Sequence, residues 1–412
     1  MIYGNCSRLN KVLNSQRSHG LFKPWDFLLA EKELLTMMMQ GELLQKKPAC
    51  SKRSTERKRS PYLNTPMDIA ERIRACGYVG QERAVKAISL FAYRHLTRLR
   101  RIKTGQTENM PKKTNMLFVG PTGCGKTHLV ELLFSRILDI PTVVVDITNY
   151  TETGYVGQNP SFILTRLLNN AERSVPRAET GIVCLDEFDK LAVNGGESCI
   201  TDSGANYLKG LGMQRELLKM VEGQRLSVSL GLDKDSVCTH VEVDTANIPF
   251  IACGAFSGLK TVICGQHGAT IGFLRKNEAP KDKIAVTYTE EDVNLTTTFQ
   301  KFGFLPELIG RFSRIVPFDA LGETELRNIL SQQVMSSWSE EMFLHEIDMV
   351  VDDTLVDYIV VNALKKETGG RSVETVFSQL MEDAAFEAYS SRKARRLILN
   401  LDQGRPGYRI ER

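Results

Sequence analysis

Short apolar runs alternate along the chain with stretches in which apolar residues return every three or four positions. The runs at 116–119, 142–146, 181–186, 248–254 and 314–318 predict strands. The spaced pattern at 125–138, 160–174 and 212–222 predicts helices. Strands separated by helices imply a mostly parallel sheet with right-handed crossovers, an α/β fold. Residues 225–246 read as a hairpin or an extended loop. Residues 258–300 show no period, and an irregular stretch of that length is often functional. After Pro317 the pattern is helical, at about 322–336, 353–366 and 371–390, before one or two short strands in 395–411. We therefore expect a large α/β domain over 61–318 and a small, mainly helical domain over 319–412.

Upstream, Thr65 is placed to cap a helix with Pro66 at its first position. Gly77–Ala84 opens a second helix that runs to about Arg101, and a polar loop follows at 102–113. Residues 1–60 are a basic extension, partly helical or flexible. Within it, Trp25 to Leu44 reads as an amphipathic helix or helical pair with a Met-rich face at Met37–Met39. That face suits either a partner or the body of the protein.

The 412 residues, 42% hydrophobic and 25% charged, suffice for two or three domains with real cores. Net charge is +4, unevenly placed: residues 1–60 hold 12 Lys/Arg against 5 Asp/Glu. Basic character thus belongs to the extension. Lys46–Ser60 reads first as a linker and second as a contact for nucleic acid or an acidic partner. Nine cysteines stand singly with no C-x-x-C pair, which gives no support to a zinc ribbon and suits reduced thiols in the cytoplasm. Residues 1–25 lack acids and carry Arg8, Lys11, Arg17 and Lys23, so an organelle matrix is the alternative. No apolar run reaches the roughly 18 residues of a membrane span, and no membrane partner is expected.

The strand at 116–119 leads into Gly120-Pro121-Thr122-Gly123-Cys124-Gly125-Lys126-Thr127, and His128 and Leu129 continue into a helix. Gly-x-x-x-x-Gly-Lys-Thr between strand and helix is a phosphate loop. Its glycines turn backbone N–H groups inward around phosphate oxygens, and the helix N-terminus faces the same anion. Lys126 reaches the β/γ-phosphates of ATP, and the Thr127 hydroxyl is a ligand for Mg²⁺. The helix dipole and Lys126 would favour a thiolate at Cys124, and an unreactive small residue is the other reading of that position. Farther on, Gly181-Ile182-Val183-Cys184-Leu185-Asp186-Glu187 ends an apolar strand in two carboxylates. Asp186 is placed for the metal's coordination sphere. Glu187 is placed to activate the attacking water.

These residues resemble the AAA+ ATPases, and one branch of the Clp/Hsp100 unfoldases, the ClpX family, fits closely from about 62 to 410. Leu63–Pro66 and Gly77–Gln81 look like its first helix and adenine-contacting segment, which implies nucleotide contacts at Tyr78 and Val79. Thr153-Gly154-Tyr155-Val156-Gly157 resembles its pore loop, with Tyr155 and Val156 gripping substrate proteins. Val243–Thr245 with Ile251–Phe256 looks like the strand following the metal-binding one. Pro306–Arg311 resembles its arginine-finger segment and Thr368–Ser372 its second sensor. The resemblance makes Arg311 a catalytic residue acting on a neighbouring subunit, alongside Glu187 and Lys126. It makes Arg371 a nucleotide contact. It also implies a ring, a homo-hexamer by analogy, and docking of a ClpP-like peptidase through Ile271-Gly272-Phe273.

The chain departs from the family pattern in three places. Residues 1–60 cannot form the cysteine-ligated zinc domain that usually precedes the ATPase. The second pore region, Thr201–Asn206, and the loop Leu232–Ser236 are altered. The first-sensor residue is not identifiable near Cys253. The expectation is an ATP-dependent unfoldase feeding a peptidase. A remodeller working without a peptidase, or a nucleic-acid motor using the basic extension, are the alternatives.

Overall fold

Helix α1 (Pro66–Ala75) begins where the sequence supplies a cap. The Thr65 hydroxyl accepts from the N–H of Asp68, and the Asp68 carboxylate accepts from the N–H of Thr65, each at 3.1 Å. These bonds satisfy N–H groups that no helical carbonyl can reach. The computed structural model describes residues 65–412, except 107, 109, 111, 151–158, 194–203, 233–237, 260–295, 367–368 and 392–393. Leu63–Arg412 make up one compact unit.

The chain continues through α2 (Glu82–Lys103), β1 (Met116–Val119) and α3 (Lys126–Val130), which runs on as a π-helical stretch to Ile137. Then come β2 (Thr142–Asp146), α4 (Phe162–Asn170), the single turn α5 (Val175–Ala178), β3 (Ile182–Asp186) and α6 (Gly204–Glu222). An antiparallel pair follows, β4 (Arg225–Leu232) with β5 (Cys238–Asp244), then β6 (Phe250–Gly254). The short helices α7 (Thr296–Phe302) and α8 (Pro306–Ile309) lead to β7 (Arg314–Pro317). The remainder is α9 (Glu323–Ile329), a second π-helical stretch, α10 (Met335–Leu344), β8 (Asp348–Val351), α11 (Asp353–Lys366), α12 (Gly370–Ser390), β9 (Arg396–Asp402) and β10 (Arg405–Glu411).

Five strands form one parallel sheet in the order β2-β3-β6-β1-β7. Strand β1, paired on both sides by β6 and β7, is buried on both faces, which is why its sequence is a continuous apolar run instead of an alternating one. Leu117 and Val119 join one cluster, with Leu164 and Leu167 of α4 and Leu217 of α6. Met116 and Phe118 join another, with Ile88 and Phe91 of α2 and Leu133 and Phe134 after α3. A third cluster gathers α9 to α12 and β9, centred on Leu330, Ile359 and Phe377.

The strands, the hairpin and the C-terminal helices lie where the apolar pattern places them, within a residue or two at most ends. Three elements differ. The helix expected to end near 336 continues through the π-helical stretch and α10 to Leu344. Strand β8, which pairs parallel with β9, was not expected. Helix α6 starts at Gly204, well before residue 212. The chain leaves β1 toward β2 and β3 on one side and returns through β6 to β7 on the other. In such sheets the crevice beyond the carboxyl end of the first strand is the usual ligand site. Among the described residues no helix is long and apolar enough to cross a membrane.

Candidate nucleotide site

The loop after β1 supplies the floor of a cavity of about 660 Å³, well within the range of small-molecule sites. Gly123 (φ +73°) and Gly125 (φ +89°) take left-handed conformations that turn the backbone back on itself before α3 begins. The Lys126 side chain is almost wholly buried, which is costly for a charged amine without partners. Its Nζ donates to the carbonyls of Gly120 and Pro121, both at 2.7 Å, so the loop closes around the ammonium.

At the end of β3 the two carboxylates separate. The Thr127 hydroxyl donates to Oδ2 of Asp186 at 2.7 Å, while Oδ1 of Asp186 accepts from the N–H of Glu187 at 2.9 Å. Glu187 sits at φ +54°, a left-handed conformation uncommon for a side-chain-bearing residue. It is exposed and lines the cavity, where water can reach it. The next turn, Phe188–Leu191, brings Asp189 back under β6, where Oδ1 accepts from the N–H of Ala255 at 3.0 Å. Gly254 allows this approach, because a Cβ there would stand 2.8 Å from that oxygen.

One wall comes from Tyr78 and Val79. The Tyr78 hydroxyl donates to the Gly125 carbonyl at 3.2 Å, and burial pushes its pKa well up. The ring stacks near that of His128, with centroids 6.1 Å apart. Burial lowers the pKa of His128, with Arg136 acting in the same direction. The opposite wall is C-terminal. The N–H of Gly370 donates to the Gly123 carbonyl at 3.0 Å, and Arg371, Glu374 and Trp338 line the cavity. Gln333 Nε2 donates to the Gly77 carbonyl at 2.7 Å, tying the two walls together.

The structure thus gathers Tyr78, Val79, Thr122 to His128, Asp186, Glu187 and Arg371 on one cavity. Leu129 does not reach it: its side chain is fully buried in the core, because it lies on the inner face of α3. Gly120 and Pro121 contribute carbonyls to Lys126 without lining the cavity. Arg311 stands apart from it, paired with Glu222 at 2.5 Å. Tyr155, Val156, Ile271, Gly272 and Phe273 lie outside the described residues, as do residues 1–60, Thr201–Ser203 and Asp233–Ser236. Asp189, Gln333 and Trp338 were not anticipated, since only tertiary packing brings them here.

Of the two readings of Cys124, the structure supports the unreactive small residue over the thiolate. The residue is 3% exposed, and burial pushes its thiol above the ordinary range against the opposing pull of Lys126. Alkylation followed by peptide mapping is expected to modify the exposed Cys76 well before the buried Cys124. Cys124→Ser is expected to keep ATP turnover within about twofold, since a small buried residue suffices there.

The donor set fits a nucleoside triphosphate with a divalent cation. A hydroxyl and a carboxylate in contact are hard oxygen ligands of the kind Mg²⁺ takes. The turned loop, the helix start and Arg371 supply donors and positive charge for phosphate oxygens. Such a loop at the head of a parallel sheet, with a pair of acids at the end of β3, one strand removed from β1, defines a P-loop ATPase. Residues 111–315 match the model of the AAA domain (Cdc48 subfamily), and residues 321–397 match that of the C-terminal, D2-small domain of ClpB protein. The chain is an AAA+ ATPase and uses nucleotide. It is 32% identical over 366 residues to the ATP-dependent Clp protease ATP-binding subunit ClpX of Azotobacter vinelandii, covering 85% of this chain and 80% of that protein. It belongs to the ClpX family.

Proposed function

We propose that the protein is an ATP-driven unfoldase that threads substrate proteins through a ring pore into a ClpP-type peptidase. The observation that carries this reading is the shared cavity. Its phosphate loop and its Gly369–Arg371 wall belong to opposite ends of the sequence, joined by the Gly370–Gly123 bond. A change in the phosphates therefore acts on the C-terminal helices as well as on the sheet. We take 61–318 and 319–412 as the two domains that this motion would separate.

The roles follow from the chemistry. Lys126 and the N–H groups of Gly123 to Thr127 bind the β- and γ-phosphates. Thr127 and Asp186 hold Mg²⁺, which when bound screens the negative charge of the phosphate oxygens. Glu187 accepts a proton from the attacking water. Tyr78 and Val79 bound the base, and Arg371 contacts the phosphates from the helical side. Arg311, far from its own cavity and on the surface, supplies positive charge to the γ-phosphate of the next subunit. An arginine used this way requires a head-to-tail ring, and the family suggests six subunits.

Tyr155 and Val156 line the pore in this reading. An aromatic ring grips extended chain by apolar contact that tolerates any sequence. Ile271-Gly272-Phe273 docks the peptidase, several weak loops on one ring binding together. Purified protein, ATP, a ClpP-type peptidase and a tagged fluorescent substrate test the docking. Phe273→Ala is expected to lower degradation at least about tenfold while leaving ATP hydrolysis unchanged. Undiminished degradation would remove the tripeptide from docking. Failure of every such peptidase to degrade substrate with the unaltered chain would favour a remodeller working alone.

A further inference from the structure

The segment carrying Arg311 is held at both backbone and side chain. Asn115, 4% exposed and just ahead of β1, donates from Nδ2 to the Arg311 carbonyl at 3.0 Å. The same side chain accepts through Oδ1 from the N–H of Phe250, also at 3.0 Å. The backbone under Arg311 is thereby tied to β1 and β6 at the ends remote from the nucleotide cavity. The side chain has its own tether. Nη2 of Arg311 donates to Oε1 of Glu222 at 2.5 Å. Glu222 is the last residue of α6, a helix anchored in the core by Met213, Leu217, Met220 and Val221. Gly223 turns the chain away at φ +96°, where a Cβ would come within 2.9 Å of Ala246. The carboxylate is thus presented by a packed helix end and not by a free loop.

The two side chains are 52% and 31% exposed, and an ion pair so open to water adds little stability. Its effect is on freedom of movement. A free arginine samples many rotamers, and that entropy is lost when it must meet a distant phosphate. Pairing one terminal nitrogen removes much of it in advance. Among the described residues the Nε and Nη1 atoms of Arg311 make no hydrogen bond, so the rest of the fork stays open to a second anion. We propose that Glu222 is a positioning residue: it holds the Arg311 guanidinium extended at the subunit surface for the nucleotide of the neighbouring subunit. The proposal rests on the trans role of Arg311 given above.

The test uses the assembled full-length ring. Glu222→Ala is expected to lower kcat for ATP about tenfold, with KM for ATP and the thermal midpoint unchanged, because the subunit's own cavity is untouched. Glu222→Gln, which keeps an oxygen acceptor in the same place, is expected to recover most of the rate. The decisive readout is mixing before assembly. A Glu222→Ala subunit keeps its own Glu187, and a Glu187→Gln subunit keeps a positioned Arg311. Where the second serves the first, one complete site results, so mixed rings should hydrolyse ATP faster than the two variants measured separately and summed. A purely structural defect would stay with its own subunit and show no recovery. Arg311→Ala mixed with Glu187→Gln is the control. If that pair fails to recover, the trans reading of Arg311 is wrong. If it recovers while Glu222→Ala turns over ATP normally or faster, or fails to recover on mixing, the assignment of Glu222 is overturned.

Discussion

Glu187→Gln is expected to bind nucleotide and assemble normally while ATP turnover falls by about 10² to 10⁴, the usual worth of a general base. That corresponds to roughly 3–5 kcal/mol of barrier. Glutamine keeps the size and a hydrogen-bonding oxygen but cannot take the proton from water. The substitution leaves the site's framework alone. The Thr127–Asp186 bond at 2.7 Å does not involve Glu187, and neither do the contacts around Lys126. Glu187 is exposed at the cavity edge, and among the described residues its hydrogen bonds are main-chain ones: its N–H donates to Asp186 and its carbonyl accepts from the N–H of Lys190. Nucleotide affinity from equilibrium titration and turnover from phosphate release would separate the two effects. Turnover near that of the unaltered protein would remove Glu187 from the chemistry.

Gly369→Ala is expected to weaken nucleotide binding by about 5- to 150-fold, the equivalent of 1–3 kcal/mol of backbone strain. Gly369 sits at φ +59°, ψ −139°, a conformation open essentially to glycine alone. A Cβ there would also lie 2.6 Å from the carbonyl oxygen of Gly123. The obstacle is backbone, which cannot rotate away as a side-chain tip can. Relief requires the start of α12 to move off the phosphate loop, which breaks the Gly370–Gly123 bond and withdraws Arg371. Gly105→Ala, at φ +71° with nothing within 4 Å, is the control for left-handed strain without the clash. Equal nucleotide affinity in the two variants would show that the contact between α12 and the loop does not serve binding.

Much of this was legible in the sequence because the signals are local. The β1 run is apolar at every position since both faces of the strand are covered, and Gly123 and Gly125 after it stand where positive φ is required. Asp186 and Glu187 were readable for the same reason, adjacent at the end of a buried strand. Leu129 was misplaced because a motif marks a neighbourhood, whereas the helix period decides which side chains face the ligand. For Cys124 the sequence shows the nearby charge and not the burial that opposes it, so both readings stood open until the packing was seen. Strand β8 has four residues, none fully buried, so its apolar signal is weak, and pairing with β9 alone defines it. Gln333 and Trp338 reach the cavity only through the packing of the helices from α9 to α10, and Glu222 meets Arg311 across 89 positions.

The central claim is that hydrolysis at this site drives mechanical unfolding. The direct measurement is the native fluorescence of a fluorescent protein fused to a long unstructured segment, followed with assembled protein and no peptidase, with a trap that captures unfolded chains. Fluorescence is expected to fall with ATP, and to hold with ADP or with the Glu187→Gln ring. Steady fluorescence during continued ATP hydrolysis, across substrates tagged at either end, would contradict the account.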